Sequence, residues 1–112
     1  MTFSVETRDG QVWLSGCVDT GNAVAVRQAL EKIAAAWQDE VLVLNLSGVT
    51  SARSVVLSVL LRLMAACDKK GLQLRLESMP HRVFEMARVS GLDAVLPIDS
   101  IHKASADSAW QA

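Results

Sequence analysis

The chain has 112 residues, of which 51% are hydrophobic and 21% charged, and its formal net charge is −1. This length suits one domain with a single core, and the mixture of acids and bases excludes a basic nucleic-acid surface. The most apolar segment, 55–67, is interrupted by Ser58 and Arg62 and is shorter than the roughly 20 residues of a membrane span. Because the first ten residues also lack the pattern of a secretory signal, we expect a cytoplasmic protein with no direct membrane insertion.

The first third of the chain predicts a hairpin and a helix. Apolar residues alternate on both sides of Asp9-Gly10, which is typical of two strands joined by a tight turn, and the second strand should end at Ser15-Gly16. Asp19, Thr20 and Asn22 offer capping side chains for the helix that follows. Its core face repeats at steps of three and four and comprises Ala23, Val26, Leu30, Ile33 and Trp37.

The middle of the chain, Val41 to Cys67, predicts a buried strand, a polar loop and a long helix. Val41 to Leu46 is apolar apart from Asn45, as expected for a strand covered on more than one side. The helix from Ser54 to Cys67 is apolar around most of its circumference, which is more than packing on one sheet face requires. Lysines followed by Gly71 predict its end.

A helical wheel divides this second helix into three faces. The core stripe comprises Val56, Val59, Leu60, Leu63 and Cys67. The polar stripe comprises Ser54, Ser58 and Arg62, and an apolar shoulder of Leu57, Leu61 and Met64 lies between the two. Either neighbouring helices of this chain or another protein should cover the shoulder. Ser51 or Ser54 could also cap the helix.

The last third predicts a strand, a helix and a short edge strand. Leu72, Leu74 and Leu76 alternate with polar residues, and Pro80 then opens a helix that ends before Gly91. The inward residues of this helix should be Val83, Phe84, Ala87 and Val89. Residues 94–98 predict the edge strand. The order ββαβαβα(β) therefore predicts an α/β fold, in which three helices pack on a small mixed β-sheet of about four to five strands. We expect this fold to form one domain, 1–98, followed by a flexible tail, 99–112.

No motif predicts catalysis, a metal or a cofactor. The chain has no glycine-rich phosphate loop and no nucleophile elbow, and neither His81 nor His102 has partners at metal-ligand spacing. Cys17 and Cys67 are far apart among apolar residues and should be reduced core cysteines. We therefore expect a protein that is not an enzyme and needs no cofactor.

The order of these elements, together with four phrases, resembles the STAS domain family, which is named for sulphate transporters and anti-sigma factor antagonists. The phrases are LSGCVD at 14–19, LNLSGVTSARS at 44–54, KKGLQLRL at 69–76 and VFEMARVSGLDAVLPI at 83–98. Their order and spacing cover nearly the whole predicted domain. The resemblance implies a STAS-like fold.

Within the family, the second helix and the chain's ending look like those of STAS subunits in phospholipid-transport ABC complexes of Gram-negative bacteria. This likeness implies a non-enzymatic subunit that binds the ATPase subunit, within a complex that also contains permease and lipid-binding subunits and maintains outer-membrane lipid asymmetry. Such a protein would be peripheral to the inner membrane through its partner. With the wheel, the likeness predicts a partner-binding surface of Ser51, Arg53, Ser54, Leu57, Ser58 and Leu61.

The family implies a second function as well. In anti-sigma factor antagonists, a Ser or Thr at the start of the second helix is phosphorylated by a partner kinase, and this breaks the complex. The matching residue here is Ser54, but the aspartate that usually precedes it is replaced by Arg53. This departure favours the transport subunit, while phosphorylation of Ser54 remains the alternative. An enzyme or small-molecule binder that uses the same loop is a third hypothesis.

Overall fold

Two parallel crossovers and an opening hairpin build the fold, which a computed structural model describes for residues 2–102. The elements are β1 Phe3–Arg8, β2 Gln11–Val18, α1 Ala23–Ala36, β3 Val41–Ala52, α2 Val55–Lys70, β4 Gln73–Glu77, β5 Met79–Pro80, α3 His81–Val89 and β6 Ile101–His102. The main sheet has the order β1-β2-β3-β4, in which β1 is antiparallel to β2 and the other pairs are parallel. This architecture confirms the predicted fold class and element order.

The core lies between the main sheet and its two crossover helices. Val12, Leu44 and Leu76 pair across three neighbouring strands, and all three side chains are buried. The crossovers through α1 and α2 connect neighbouring parallel strands in the same direction, so right-handed connections place both helices on one sheet face. The two helices also contact each other. On the opposite face of the sheet, Val41 and Val43 of β3 are only half-buried. The sequence predicted that β3 is covered on more than one side, but the cover on this face is incomplete.

Strands β2 and β3 both continue past their predicted ends. Gly16 has a φ of 95° and lies at a register shift, where the sequence pattern predicted the end of β2. Beyond it, Cys17 pairs with Ser51, and the N–H of Arg53 donates to the carbonyl of Val18 at 2.9 Å. The prediction of a loop before the second helix was therefore wrong, because the backbone of this polar segment completes the ladder to β2.

The segment after α3 also differs from the prediction. Instead of a strand at 94–98, residues 93–95 form a turn, and the chain rejoins the sheet through a bridge from Ile98 to Leu76. It then continues into β6, which pairs with β5, while Asp99 forms an ion pair with Arg75 at 2.8 Å. Residues 99–102, which the sequence analysis assigned to the tail, thus pair with the body of the domain. The rest of the predicted tail lies outside the described residues.

Local chemistry at the helix ends also departs from the simplest expectation. Asn22 occupies the N-cap of α1 without a side-chain capping bond. The Asp19 carboxylate instead accepts hydrogen bonds from the N–H groups of Gly21 and Asn22, at 2.8 and 3.1 Å, and so stabilises the preceding turn.

Cys67 is fully buried, as predicted, and its burial raises the pKa of its thiol. Cys17 is a free thiol that is only half-buried.

Lys70 joins the ends of the two crossover helices. Its Nζ donates to the carbonyls of Ala34, Ala35 and Trp37, at 3.0, 2.6 and 2.8 Å. These carbonyls belong to the C-terminal turn of α1 and its cap, where backbone acceptors have no partner within the helix. One ammonium group therefore caps α1 from α2, and a cation is favoured at that end of a helix.

Replacement of Lys70 by methionine should lower the free energy of unfolding by about 1 kcal/mol, because the three acceptors lose a charged donor while the aliphatic stem remains. Urea unfolding followed by circular dichroism measures this loss. Lys69→Met is the matched control, since Lys69 is at the same end of α2 but no hydrogen bond from it to α1 is present among residues 2–102. Equal stability of the two variants would contradict the capping role.

Candidate functional site

The start of α2 presents an exposed hydroxyl that the helix does not use. Ser54 is the N-cap residue, but its φ of −57° and ψ of −20° are already helical, and its side chain makes no capping bond. The first turn closes through the backbone instead, as the N–H of Leu57 donates to the carbonyl of Ser54 at 3.0 Å. The prediction that Ser51 or Ser54 caps this helix was therefore wrong, because Ser51 lies within β3 and Ser54 leaves its hydroxyl toward solvent.

The three faces predicted for α2 are found in the structure, with one correction. The core stripe is buried, and Ser54, Ser58 and Arg62 form an exposed ridge along the helix. In the predicted shoulder, however, Leu57 is only 6% exposed and belongs to the core, while Leu61 and Met64 are half-buried against it. Leu57 shares its core cluster with Val83 and Ala87 of α3, a helix that contacts α2. A direct contact of Leu57 with a partner would require this part of the core to open.

Two grooves flank the exposed ridge of α2. The larger, which we call the α2–α3 groove, has a volume of about 620 Å³. It is lined by Ser54, His81, Arg82, Glu85, Met86, Val89 and Ser90. The smaller, the α1–α2 groove, has a volume of about 160 Å³ and lies along Val24, Arg27, Ser58 and Arg62. A surface that contacts Ser54 would therefore also contact α3.

The contribution of α3 was not predicted from the sequence. Val89 was assigned to the inward face of this helix, but the structure leaves it 80% exposed on the wall of the α2–α3 groove. The signal was present in the helical period: Val83 and Ala87 are one turn apart and buried, whereas Val89 lies about 240° from Val83 on the wheel. A wheel drawn for α3 would have placed Val89 at the surface.

At and near the α2–α3 groove, one carboxylate has partners within the domain, whereas three arginines have none among the described residues. The Glu85 carboxylate accepts a hydrogen bond from Nη2 of Arg88 at 2.6 Å, and its other oxygen lies 3.7 Å from Nε2 of His81. The bond to Arg88 holds the pKa of Glu85 below its usual value. By contrast, Arg53, Arg62 and Arg82 are exposed and form no ion pair with any carboxylate among residues 2–102.

The predicted site residues are therefore brought together in part. Ser51, Arg53, Ser54 and Ser58 follow one another along the exposed end of β3 and the ridge of α2, with Leu61 half-buried beside them. Leu57 is beneath this surface.

Within residues 2–102, no group of three His, Cys, Asp or Glu side chains could hold a metal ion. The helices of this same region are too short or too polar to cross a membrane.

Solved structures with the same fold include anti-sigma factor antagonists and a sulfate transporter family protein. An anti-sigma factor antagonist from Mycobacterium paratuberculosis is 28% identical, with a TM-score of 0.67 over 96% of this chain and 89% of that one. The unphosphorylated form of the anti-sigma factor antagonist SpoIIAA gives 14% identity and a TM-score of 0.68 over 96% and 92%. A sulfate transporter family protein from Wolinella succinogenes gives 18% identity and 0.62 over 87% and 80%.

The sequence itself identifies the family. No curated protein matches the chain. The family described as "Mlab, STAS domain" matches residues 1–97, which contain the main sheet, all three helices and every residue of the two grooves. With the shared fold, this match shows that the chain belongs to the STAS family, in the group that carries the Mlab description.

Proposed function

We propose that the protein is a non-enzymatic accessory subunit that binds and supports the ATPase subunit of a phospholipid-transport ABC complex maintaining outer-membrane lipid asymmetry. The match of residues 1–97 to the Mlab family carries this proposal. The protein would work in the cytoplasm, at the inner membrane through its partner, in a complex with permease and lipid-binding subunits. Its own contribution is a docking surface rather than a catalytic group.

The docking surface consists of Ser51, Arg53, Ser54, Ser58 and Leu61, with the walls of the two grooves beside them. Interfaces combine an apolar centre with a polar rim, and this surface offers both. The ridge supplies hydroxyl and guanidinium groups, while Val24 and Val89, which are 59% and 80% exposed, supply apolar area on either side. Leu57 supports the surface from below.

A Ser54→Tyr variant should lose co-purification with the ATPase subunit, with affinity at least about tenfold lower, which corresponds to about 1.4 kcal/mol. The tyrosine side chain would project from the ridge at the edge of the α2–α3 groove, so it would sterically prevent a partner from contacting the ridge and the groove. Because Ser54 is exposed, the isolated domain should keep its thermal unfolding temperature.

Ser4→Tyr is the matched control, since Ser4 is exposed on β1 and pairs with Ser15 at the opposite end of the strand order from β4. It should co-purify as the wild type does. Undiminished binding by a folded Ser54→Tyr protein would remove this surface from the interface. No co-purification by the wild type would overturn the proposed function itself.

A second candidate function is that of an anti-sigma factor antagonist switched by phosphorylation of Ser54. The 28% identity to the Mycobacterium paratuberculosis antagonist, over 96% of this chain, favours it. The exposed hydroxyl of Ser54 is accessible to a kinase, and a phosphate there would add nearly two negative charges. Intact-mass spectra of protein isolated from its own cells should then show a phosphorylated form that a Ser54→Ala variant lacks.

A further inference from the structure

We infer that the α2–α3 groove receives a segment of a partner protein that presents carboxylates beside an apolar side chain, as one face of an acidic amphipathic helix does. This inference rests on the proposed docking function and adds to it the chemistry of the partner. Three observations carry it: an exposed apolar wall, arginines without ion pairs at the groove, and the engagement of the nearby carboxylates within the domain.

The apolar part of the groove lies on α3. Val89 is 80% exposed, and Met86, which is half-buried, lines the same groove. Cover of an exposed valine side chain removes apolar surface from water and is favourable, so Val89 is available as an apolar contact for a partner. A groove of about 620 Å³ has room for one or two large side chains of a partner. An apolar anchor is therefore the first requirement for an occupant.

The groove has one arginine in its lining and others close by. Arg82 lines the groove beside Glu85, and Arg53 immediately precedes Ser54. Arg62 lies farther along the ridge of α2, where it lines the α1–α2 groove. None of the three forms an ion pair among the described residues. The sequence of α2 contains no acid before Asp68, near its far end. Carboxylates on a partner would complement this surface and direct its approach.

Three carboxylates near the ridge and groove, those of Glu85, Asp19 and Glu31, are engaged within the domain. Glu85 is held by Arg88 and faces His81, so it does not serve Arg82. Asp19 follows the end of β2, beside Arg53, but its carboxylate accepts the N–H groups of Gly21 and Asn22. Glu31 pairs with Arg27 at 3.2 Å. Within residues 2–102, the arginines of the ridge and groove are therefore left available to carboxylates of a partner.

A peptide titration tests this inference without the ATPase subunit. The probe is a helical peptide of about five turns with leucines on one face and glutamates beside them, and its control carries glutamine at every glutamate. Amide shifts of the ¹⁵N-labelled full chain report where each peptide binds. The glutamate peptide should shift Ser54, Arg82 and Val89, with a dissociation constant at least about tenfold below that of the glutamine peptide, since two charge pairs contribute about 1.4 kcal/mol together.

Variants of the chain give the matching controls. Arg82→Glu and Val89→Ser should each lose most of the shift, because they remove the charge and the apolar anchor separately. Lys69→Glu makes the same charge change at the far end of α2 and should bind as the wild type does.

Equal binding of the two peptides, shifts confined to other surfaces, or no binding by either peptide would each overturn the inference. The same shifts on raising the protein concentration without peptide would also overturn it, because they would identify a second copy as the occupant. A negative titration would overturn the acidic-partner inference but would not contradict co-purification with the ATPase subunit. A negative co-purification would overturn the proposed function but would not change the result of the titration. The two proposals are therefore tested separately.

Discussion

Replacement of Leu57 by aspartate should abolish cooperative folding of the domain. Leu57 is 6% exposed within the main core cluster, so the change removes a leucine side chain worth about 2–5 kcal/mol and also buries a carboxylate. Domains of this size are stable by only about 5–15 kcal/mol. Urea unfolding followed by tryptophan fluorescence and circular dichroism should therefore show no folded baseline, or a transition displaced to very low urea.

Ser58→Asp is the matched control, because Ser58 is the next residue of α2 and is exposed on its ridge. It should unfold at nearly the same urea concentration as the wild type, while Leu57→Ala should give a reduced but cooperative transition. A stable, cooperative Leu57→Asp domain would show that Leu57 is not part of the core in solution. Leu57 would then return to the docking surface where the sequence analysis placed it.

The sequence predicted those features that depend on residues two to four positions apart. Alternation around Asp9-Gly10 gave the hairpin, and steps of three and four gave the buried stripe of α2 and its exposed ridge at Ser54, Ser58 and Arg62. Each signal reflects the period of one strand or helix against one surface. The order of such elements was then enough for the fold class, because short right-handed connections leave few topologies.

The sequence did not predict those features that depend on distant segments. The serine-rich end of β3 has the composition of a loop, and only its pairing with β2 makes it a strand. The wheel of α2 assigned Leu57 a direction but could not show that the core extends to that side. There α3, some 25 residues later in the chain, contacts α2 and contributes to the same core cluster. The same long-range contact creates the α2–α3 groove, so the part of the candidate site on α3 was missed with it.

The position of Ser54 depends on how β2 ends. The register shift between Gly16 and Cys17 brings Val18 beside Ala52, and the hydrogen bond from Arg53 to Val18 then fixes the residue before Ser54. The ridge of α2 therefore starts directly after a hydrogen-bonded strand end rather than after a loop. This arrangement suits a docking surface, because little conformational entropy would be lost when a partner binds.

Replacement of Gly16 by alanine should lower the free energy of unfolding by more than about 2 kcal/mol, a sum of backbone strain and steric conflict. Its φ of 95° is unfavourable for any residue with a Cβ atom, and that atom would meet the backbone carbonyl of Thr2 and the Cα of Phe3. The Cα of Phe3 belongs to the strand paired with β2 and cannot rotate away, and the N–H of Cys17 already donates to the Thr2 carbonyl at 2.9 Å. Thermal unfolding should show a melting temperature lower by roughly 8 °C or more.

Gly10→Ala separates the two contributions to this loss. Gly10 has a φ of 74°, but a Cβ atom there would have no neighbour within 4 Å, so the variant carries backbone strain alone and should lose only about 1 kcal/mol. Equal stability of the two variants would show that the conflict with β1 is relieved and that the register shift tolerates a side chain. If Gly16 holds the strand end as we infer, folded Gly16→Ala protein should also bind the ATPase subunit more weakly, whereas Gly10→Ala should bind it as the wild type does.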